Sequence, residues 1–322
     1  MTRGRGRAVE LAGMIRRAGA RLAEAGVPSP RVDAELLAAH VLGTSRSEVQ
    51  VKALMGVEAS DGDLVRYEAL VEERARRIPL QHLTGIAPFR TLELRVGPGA
   101  FIPRPETETV VELTLQQLRV LADGGLAAPR VIDLGTGSGA IAAAIAAEFP
   151  DAEIHALELS AEAAAWAQQN FENLPHGSAR VHLHRGDLRD VESLRASLQN
   201  VDRGSADQRL RVSGEEEMRF DVVVSNPPYI PPGMVPTEIE VREHDPELAL
   251  YGGGEDGLQL PRAVIETAVQ LLRPGGWFIV EHAEVQAPAL KRICEANAAL
   301  TDVATHQDLS GRDRATSARI AQ

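Results

Sequence analysis

Cysteine is almost missing from this chain. A single one, Cys294, leaves no internal disulfide and no thiolate zinc cluster to consider. It sits in "LKRICEANAAL", which reads as a helix, so its expected role is packing. Lysine is nearly absent too: Lys52 and Lys291 stand alone among 34 basic residues. With so much alanine, that bias reflects a GC-rich coding sequence more than function. No apolar run reaches the roughly 20 residues of a membrane span, and "MTRGRGRAVELAG" lacks the apolar core of a secretory signal. A cytoplasmic protein without a membrane partner is expected. Positive charge is outnumbered, 34 basic against 46 acidic residues, for a formal net charge of −12. Such a chain repels phosphate backbones, so no direct nucleic-acid partner is expected. The nine histidines show no metal-ligand spacing, and no metal is expected.

What is present divides into two patterns. Residues 1–78 read as helices forming a small domain. Leu11, Met14, Ile15, Ala18 and Leu22 line one helical face. "SPRVDAELLAAHVLG" opens on Ser29 as N-cap with Pro30 in the first turn, and stops at Gly43. A third helix is predicted over 61–76. Residues 79–104 read as a β-hairpin linker, with "TLELRV" as a strand and Gly85 and Pro88 marking a turn. From 105 the chain reads as α/β. A helix starts near Pro105, with Glu106 and Glu108 favouring the positive end of its dipole. Strands follow at "RVIDL", "AEIHALEL", "RVHLHRGDL", "RFDVVVSNPPY" and, after a turn at "RPGG", "GGWFIVEH". The tail "DVATHQDLSGRDRATSARIAQ" reads as two short strands. Alternating strands and helices imply a doubly wound, mostly parallel sheet. The polar, charge-mixed stretch 190–219 shows no sustained period, and its middle reads as a mobile surface insertion.

Chemistry gathers at the ends of successive strands. "DLGTGSG" follows the first strand and opens a helix. Gly135, Gly137 and Gly139, with Thr136 between them, permit a tight turn and close approach of a ligand. The next strand ends on Glu158, an acceptor for ribose hydroxyls, and the third exits at Asp187, an acceptor for an adenine amino group. Either acid alone would be an ordinary loop charge. Three features on one carboxyl edge fit NAD, FAD or S-adenosyl-L-methionine.

The fourth strand separates these options by ending in "SNPPYIPP". Asn226 offers an amide acceptor. Pro227 lacks an N–H and Pro228 fixes the following φ, so the carbonyls are held stiffly. Tyr229 can lie flat against a planar group. Together they clamp a planar nitrogen bearing two hydrogens, one taken by the Asn226 side-chain oxygen and one by the Pro227 carbonyl. The nitrogen lone pair is then free to meet a sulfonium methyl over the glycine loop. The class is methylation of a planar nitrogen, and the motif does not choose between a nucleobase amine and a protein amide.

The surrounding motifs resemble the release factor glutamine methyltransferases over nearly the whole chain. The shared stretches are "RRIPLQHLTG" (76–85), "FIPRPETE" (101–108), "DLGTGSGAIA" (133–142), "SNPPYIP" (225–231), "PELALYGGGEDGL" (246–258), "PGGWFIVEH" (274–282) and "DLSGRDR" (308–314). The resemblance implies a helical N-terminal substrate-recognition domain joined by a hairpin to a seven-stranded, Rossmann-like class I methyltransferase domain. It implies methylation of the glutamine side-chain amide in the Gly-Gly-Gln loop of peptide-chain release factors, which supports translation termination. It also implies cofactor contacts from 135–139, Glu158, Asp187 and Asn226, with substrate contacts from 226–229. Arg104, Glu106 and Thr107 of "FIPRPETE" would lie beside the methionine end of the cofactor and the substrate pocket. Glu158 and Asp245 depart from the acids expected there, Asp and Glu respectively, and Ala283 stands where Gly is expected. A monomer is the default. The competing readings are a DNA or rRNA base amino-methyltransferase, a module that binds S-adenosylmethionine without turnover, and a nicotinamide oxidoreductase. Net charge speaks against the first, an intact "NPPY" against the second, and G-x-G-x-G spacing against the third.

Overall fold

A computed structural model describes residues 9–204 and 219–322, with the side chains of 200–204 left aside. By compactness the chain forms two units: residues up to Ile86 together with Pro236–His244, and the remainder. The sequence instead predicts boundaries at 78/79 and 104/105.

In the first unit a short strand β1 (Val9–Glu10) precedes helices α1 (Leu11–Glu24), α2 (Pro30–Leu42) and α3 (Arg46–Leu54). Strand β2 (Glu58–Ala59) pairs with β1, and α4 (Asp61–Ala75) and α5 (Leu80–Thr84) follow. The face of α1 read from the sequence is the buried one. Ser29 occupies the α2 N-cap position but makes no side-chain cap bond, whereas Gly43 ends the helix in the left-handed region. Helix α3 was not anticipated, although a full capping box marks its start: Ser45 and Glu48 each bond the other's backbone N–H. Tyr67 fills the centre of this unit and donates its hydroxyl to the Ala34 carbonyl at 3.0 Å. Arg74, also buried, meets Asp33 at 2.7 Å and Glu240 at 2.8 Å, which ties the distant segment 236–244 into the helices.

The second unit opens with a hairpin of β3 (Ile86–Phe89) and β4 (Leu92–Arg95). The turn is not where glycine and proline suggested. Gly85 ends α5, Pro88 lies within β3, and the chain reverses at Arg90, which takes a φ of 50°. Phe89, Leu92 and Leu94 sink into the core of this unit, so the hairpin is packed rather than free. Helix α6 (Thr107–Asp123) begins two residues after Pro105.

Then come β5 (Arg130–Leu134), α7 (Ala140–Glu148), β6 (Glu153–Glu158), α8 (Ala161–Glu172), β7 (Val181–Arg185), α9 (Val191–Gly204) and β8 (Phe220–Ser225). Helices α10 (Ile239–His244), α11 (Glu247–Leu250) and α12 (Gln259–Leu271) lead to β9 (Leu272–Glu281), α13 (Ala287–Glu295), β10 (Leu300–Gln307) and β11 (Asp313–Ile320). The seven strands order as β10-β11-β9-β8-β5-β6-β7. Strands β9, β8, β5, β6 and β7 run parallel, while β11 is antiparallel to both its neighbours, β9 and β10. Side chains alternate between faces. Val131, Val222 and Ile279 join the core under α6 and α7, while Ile132, Val223 and Phe278 join that under α12 and α13. The "RPGG" turn proves to lie inside β9, where the pairing with β8 shifts register between Phe220 and Val222.

Helix α9 corrects the view of 190–219 as aperiodic. Val191, Leu194 and Leu198 recur at helical spacing and are buried, and Ser197 bonds His184 of β7 at 2.7 Å. The middle of the proposed insertion lies outside the described residues. Among the described residues no helix is long and apolar enough to cross a membrane, and no cluster of His, Cys, Asp or Glu could hold a metal ion.

Candidate active site

Strand order positions the site. Strand β5 lies between β6 and β8, so the chain leaves it in opposite directions on its two sides, and the loops after β5 and β8 face one crevice. Register places Leu134 beside Ser225, and the Ser225 hydroxyl donates to the Leu134 carbonyl at 2.6 Å. Gly135 and Asn226 therefore leave the sheet side by side.

The three loop glycines do different work. Gly135 and Gly137 hold φ of 75° and 59°, and a Cβ on either would meet nothing within 4 Å, so the space over the loop is open. Gly139 begins α7 against α8, where a Cβ would stand 2.7 Å from the Phe171 ring. Thr136 turns inward and donates to Asp133 Oδ2 at 2.6 Å, leaving its backbone to line the turn. Asp133 was not singled out from the sequence. It is fully buried, its Oδ1 has no hydrogen-bond partner, and burial pushes its pKa up to about 7. Glu158 is also buried. Its two oxygens accept from the backbone N–H groups of Gly137 at 2.8 Å and Ser160 at 2.7 Å, and burial raises its pKa. A carboxylate oxygen has two lone pairs, so each retains one for a ligand hydroxyl.

Asp187 stands beyond β7 on the same edge, but Arg189 covers both its oxygens, with Nε at 2.9 Å from Oδ1 and Nη2 at 2.6 Å from Oδ2. These bonds hold its pKa below the ordinary value.

At the fourth strand end, Asn226 Nδ2 donates to Thr107 Oγ1 at 3.0 Å, which brings a buried residue of "FIPRPETE" onto the clamp. With Nδ2 engaged, Oδ1 is the end of the amide left to accept. Tyr229 donates its hydroxyl to Glu281 Oε1 at 3.3 Å; desolvation first, then the Glu281 charge, raises its pKa. Glu106 is exposed, and its charge still acts on Tyr229 and Glu281. Arg104 is paired with a buried acid. It holds Asp245 at 2.5 Å, with its guanidinium 4.8 Å from the centre of the Phe101 ring.

The clamp rests on a second glycine-rich loop, whose role was not read from the sequence. Ile230 N–H donates to Leu250 and Gly252 N–H to Ile230, at 2.9 and 3.0 Å. A Cβ at Gly252 would fall 1.9 Å from the Gly257 carbonyl and 2.7 Å from that of Pro228, so only glycine lets the two backbones meet. Gln286 donates to the Tyr229 carbonyl at 2.7 Å and to that of Asp256 at 3.0 Å, tying the two segments together.

A glycine loop after the first strand and a rigid polar clamp after the fourth, joined through Ser225, define a methyltransferase site. A methyltransferase domain family model matches residues 127–320, and a PrmC N-terminal domain model matches 14–85. The release factor glutamine methyltransferase of Streptomyces coelicolor is 44% identical over 304 residues, covering 94% of this chain and 95% of that protein. Those of Bifidobacterium longum and Deinococcus radiodurans are 40% and 38% identical, covering 94% and 97% of this chain and 96% and 99% of their own lengths. The chain belongs to the release factor glutamine methyltransferase family.

Proposed function

We propose that this protein methylates the side-chain amide nitrogen of the glutamine in the Gly-Gly-Gln motif of peptide-chain release factors, with S-adenosyl-L-methionine as donor. The observation that carries this reading is the Asn226–Thr107 bond, which leaves the amide oxygen of Asn226 as an acceptor at the edge of the open glycine loop. The cofactor supplies a methyl group made electrophilic by its sulfonium. The residues present suit it. Open space lies over Gly135 and Gly137, Glu158 keeps lone pairs for ribose hydroxyls, and buried Asp133 Oδ1 lacks a partner. Asp187 is the acceptor for the adenine amino group.

On the substrate side, Asn226 Oδ1 and the Pro227 carbonyl accept the two amide hydrogens, and Tyr229 covers the amide plane. An amide nitrogen is a weak nucleophile because its lone pair is delocalised. Two fixed acceptors hold that lone pair out of the plane and match the positive charge that grows on the N–H groups. Positioning and charge matching then lower the barrier without a strong base before attack. Glu106 and Arg104 shape the entrance, and the helical N-terminal unit is the release-factor recognition module. We place the protein in the cytoplasm as a monomer with no nucleic-acid partner.

The test uses purified protein, radiolabelled S-adenosylmethionine, and a release factor from the same cell beside its Gln→Ala variant in Gly-Gly-Gln. Label on the first and not on the second is the expected result. Label on neither, with cofactor bound, overturns the choice of substrate.

A further inference from the structure

We propose that Asn170 is a positioning residue for methyl transfer, one side-chain amide that locks the glycine loop 135–139 to the segment of chain running into the clamp. This rests on the reading of that loop as the cofactor's and of Asn226 as part of the clamp.

Asn170 lies on α8 and is 4% exposed. Its Oδ1 accepts from the Arg95 N–H at 2.7 Å, and its Nδ2 donates to the Arg95 carbonyl at 3.0 Å. One side chain thus takes both main-chain groups of a strand residue, as a paired strand would take them. Arg95 ends β4, so these bonds pin the point where the chain leaves the hairpin. Nδ2 also donates to the Ser138 carbonyl at 2.8 Å. Two carbonyls demand N–H donors and one N–H demands an acceptor, so the amide has one workable orientation.

Ser138 sits between Gly137 and Gly139, both in the left-handed region. Other bonds hold this loop to β6: the Gly135 and Thr136 N–H groups donate to the Leu157 carbonyl at 2.9 and 3.0 Å, and Gly137 donates to Glu158. Asn170 holds it to α8 and β4. The fit on that side is close, since a Cβ on Gly139 would stand 3.3 Å from the Ala167 Cα. The same face of α8 continues onto the chain beyond Arg95, with Glu162, Trp166 and Asn170 at four-residue spacing. Trp166 Nε1 donates to the Pro98 carbonyl at 3.2 Å. A Cβ on Gly97 would stand 2.5 Å from the Trp166 ring, and one on Gly99 would overlap the Glu162 side chain.

That segment runs on into "FIPRPETE". Ala100 and Ile102 are buried there, and Thr107 accepts from the Asn226 amide. One helix face therefore meets both the loop that carries the methyl donor and the chain that reaches the clamp. A cofactor seated on the loop fixes Ser138, and through Asn170 it orders 95–99. The coupling is mutual, so loosening Arg95 weakens cofactor binding by the same factor. Asn170→Asp keeps the size of the side chain and an acceptor for the Arg95 N–H, but it turns an oxygen toward two carbonyls and cuts the link to the loop.

Two measurements test this. In ¹⁵N-labelled protein, S-adenosylmethionine should slow hydrogen exchange of the Arg95 amide by about tenfold, an ordinary coupling between sites. The effect should vanish in Asn170→Asp and persist in Leu290→Ala, which removes buried volume from α13 and leaves these bonds alone. Slowing across 135–139 without slowing at Arg95, or equal slowing in Asn170→Asp, overturns the proposal alone. With no slowing in the loop either, the reading of the cofactor loop falls and takes the proposal with it. This readout needs no turnover, so it decides the role of Asn170 even where no release factor is methylated. The parent's Arg95 exchange decides it even where Asn170→Asp fails to fold. By calorimetry Asn170→Asp should weaken cofactor binding by about tenfold. In steady-state methylation it should lower kcat by about 10- to 100-fold, the scale of a small misplacement of reacting groups. Leu290→Ala, destabilised elsewhere, should keep both near parent values. Parent-like binding and kcat in Asn170→Asp, with only a lower urea midpoint, mark a merely structural residue and overturn the proposal.

Discussion

A single side-chain amide carries the chemical hypothesis, and its orientation is set by a neighbour far away in sequence. Asn226 donates to Thr107, so only its oxygen remains to recognise a substrate amide. Asn226→Ala should lower the rate of methyl transfer by about 10²–10³-fold, the usual loss for one preorganised polar group. Circular dichroism and cofactor titration should change little; near-parent turnover in that variant refutes the clamp. Asp187 poses a different question, because Arg189 already holds both its oxygens. Asp187→Ala should weaken cofactor binding by calorimetry if adenine uses that acceptor. Exposed ion pairs contribute roughly 0–1 kcal/mol, so Arg189→Ala, by freeing the carboxylate, should tighten binding by up to about fivefold. Unchanged dissociation constants in both variants would remove Asp187 from the cofactor site.

Among the elements, the loop after α11 supports the clamp through close backbone contact and through the Gln286 side chain. Gly252 and Gly257 press against residues 228–231 at distances no side chain permits, and Gln286 bonds both segments. Gly252→Ala must move one backbone off the other. Its kcat should fall about 100-fold, with a smaller effect on cofactor affinity, because a shift near 1 Å is enough to misplace the amide. Gly233, also near the clamp in sequence, has no atom within 4 Å of its missing Cβ. Gly233→Ala should keep parent activity, and equal losses in the two variants would point to general destabilisation. Helix α9 and helix α3 show how elements escape a reading for period. Each has a short apolar stripe diluted by charge, and burial of Val191, Leu194 and Leu198 in one case and Val49 in the other decides the outcome.

On the scale of the whole molecule, the sheet leaves three acids, Asp133, Glu158 and Glu281, at its functional edge in surroundings that favour the neutral form. Asp133 and Glu281 are both raised to about 7, chiefly by burial. A raised carboxyl pKa stabilises the fold below its unfolded value and loses that contribution as pH climbs through the folded value. The cofactor-free protein should therefore lose stability between about pH 4 and pH 8 from this pair. Asp133→Asn removes one contributor. In urea unfolding, the parent should become less stable relative to Asp133→Asn at pH 8 than at pH 5, by on the order of 3 kcal/mol. A difference that does not change with pH would place the Asp133 titration outside this range. His182 and His184 act in the opposite sense, since burial lowers them to about 4 and about 3 and their neutral forms are lost on acidification.

The sequence by itself determined the class of fold and the family, and it pointed to the strand ends proposed to carry the chemistry. Those signals are local: an alternating strand–helix pattern, glycines in "GTGSG", and prolines that stiffen "NPPY". It did not reveal that Thr107 and Glu281 meet the clamp, 119 and 55 positions from Asn226, because nothing near either residue encodes a partner so distant. Glu281 reads in the chain as a polar strand end, and only the sheet places it under Tyr229. Likewise the pairing of Arg104 with Asp245, 141 positions away, comes from packing that neither residue's surroundings in the chain encode. Local preference and short motifs specify which elements form. Which buried acid faces which amide is decided by strand order and by the depth at which each strand ends.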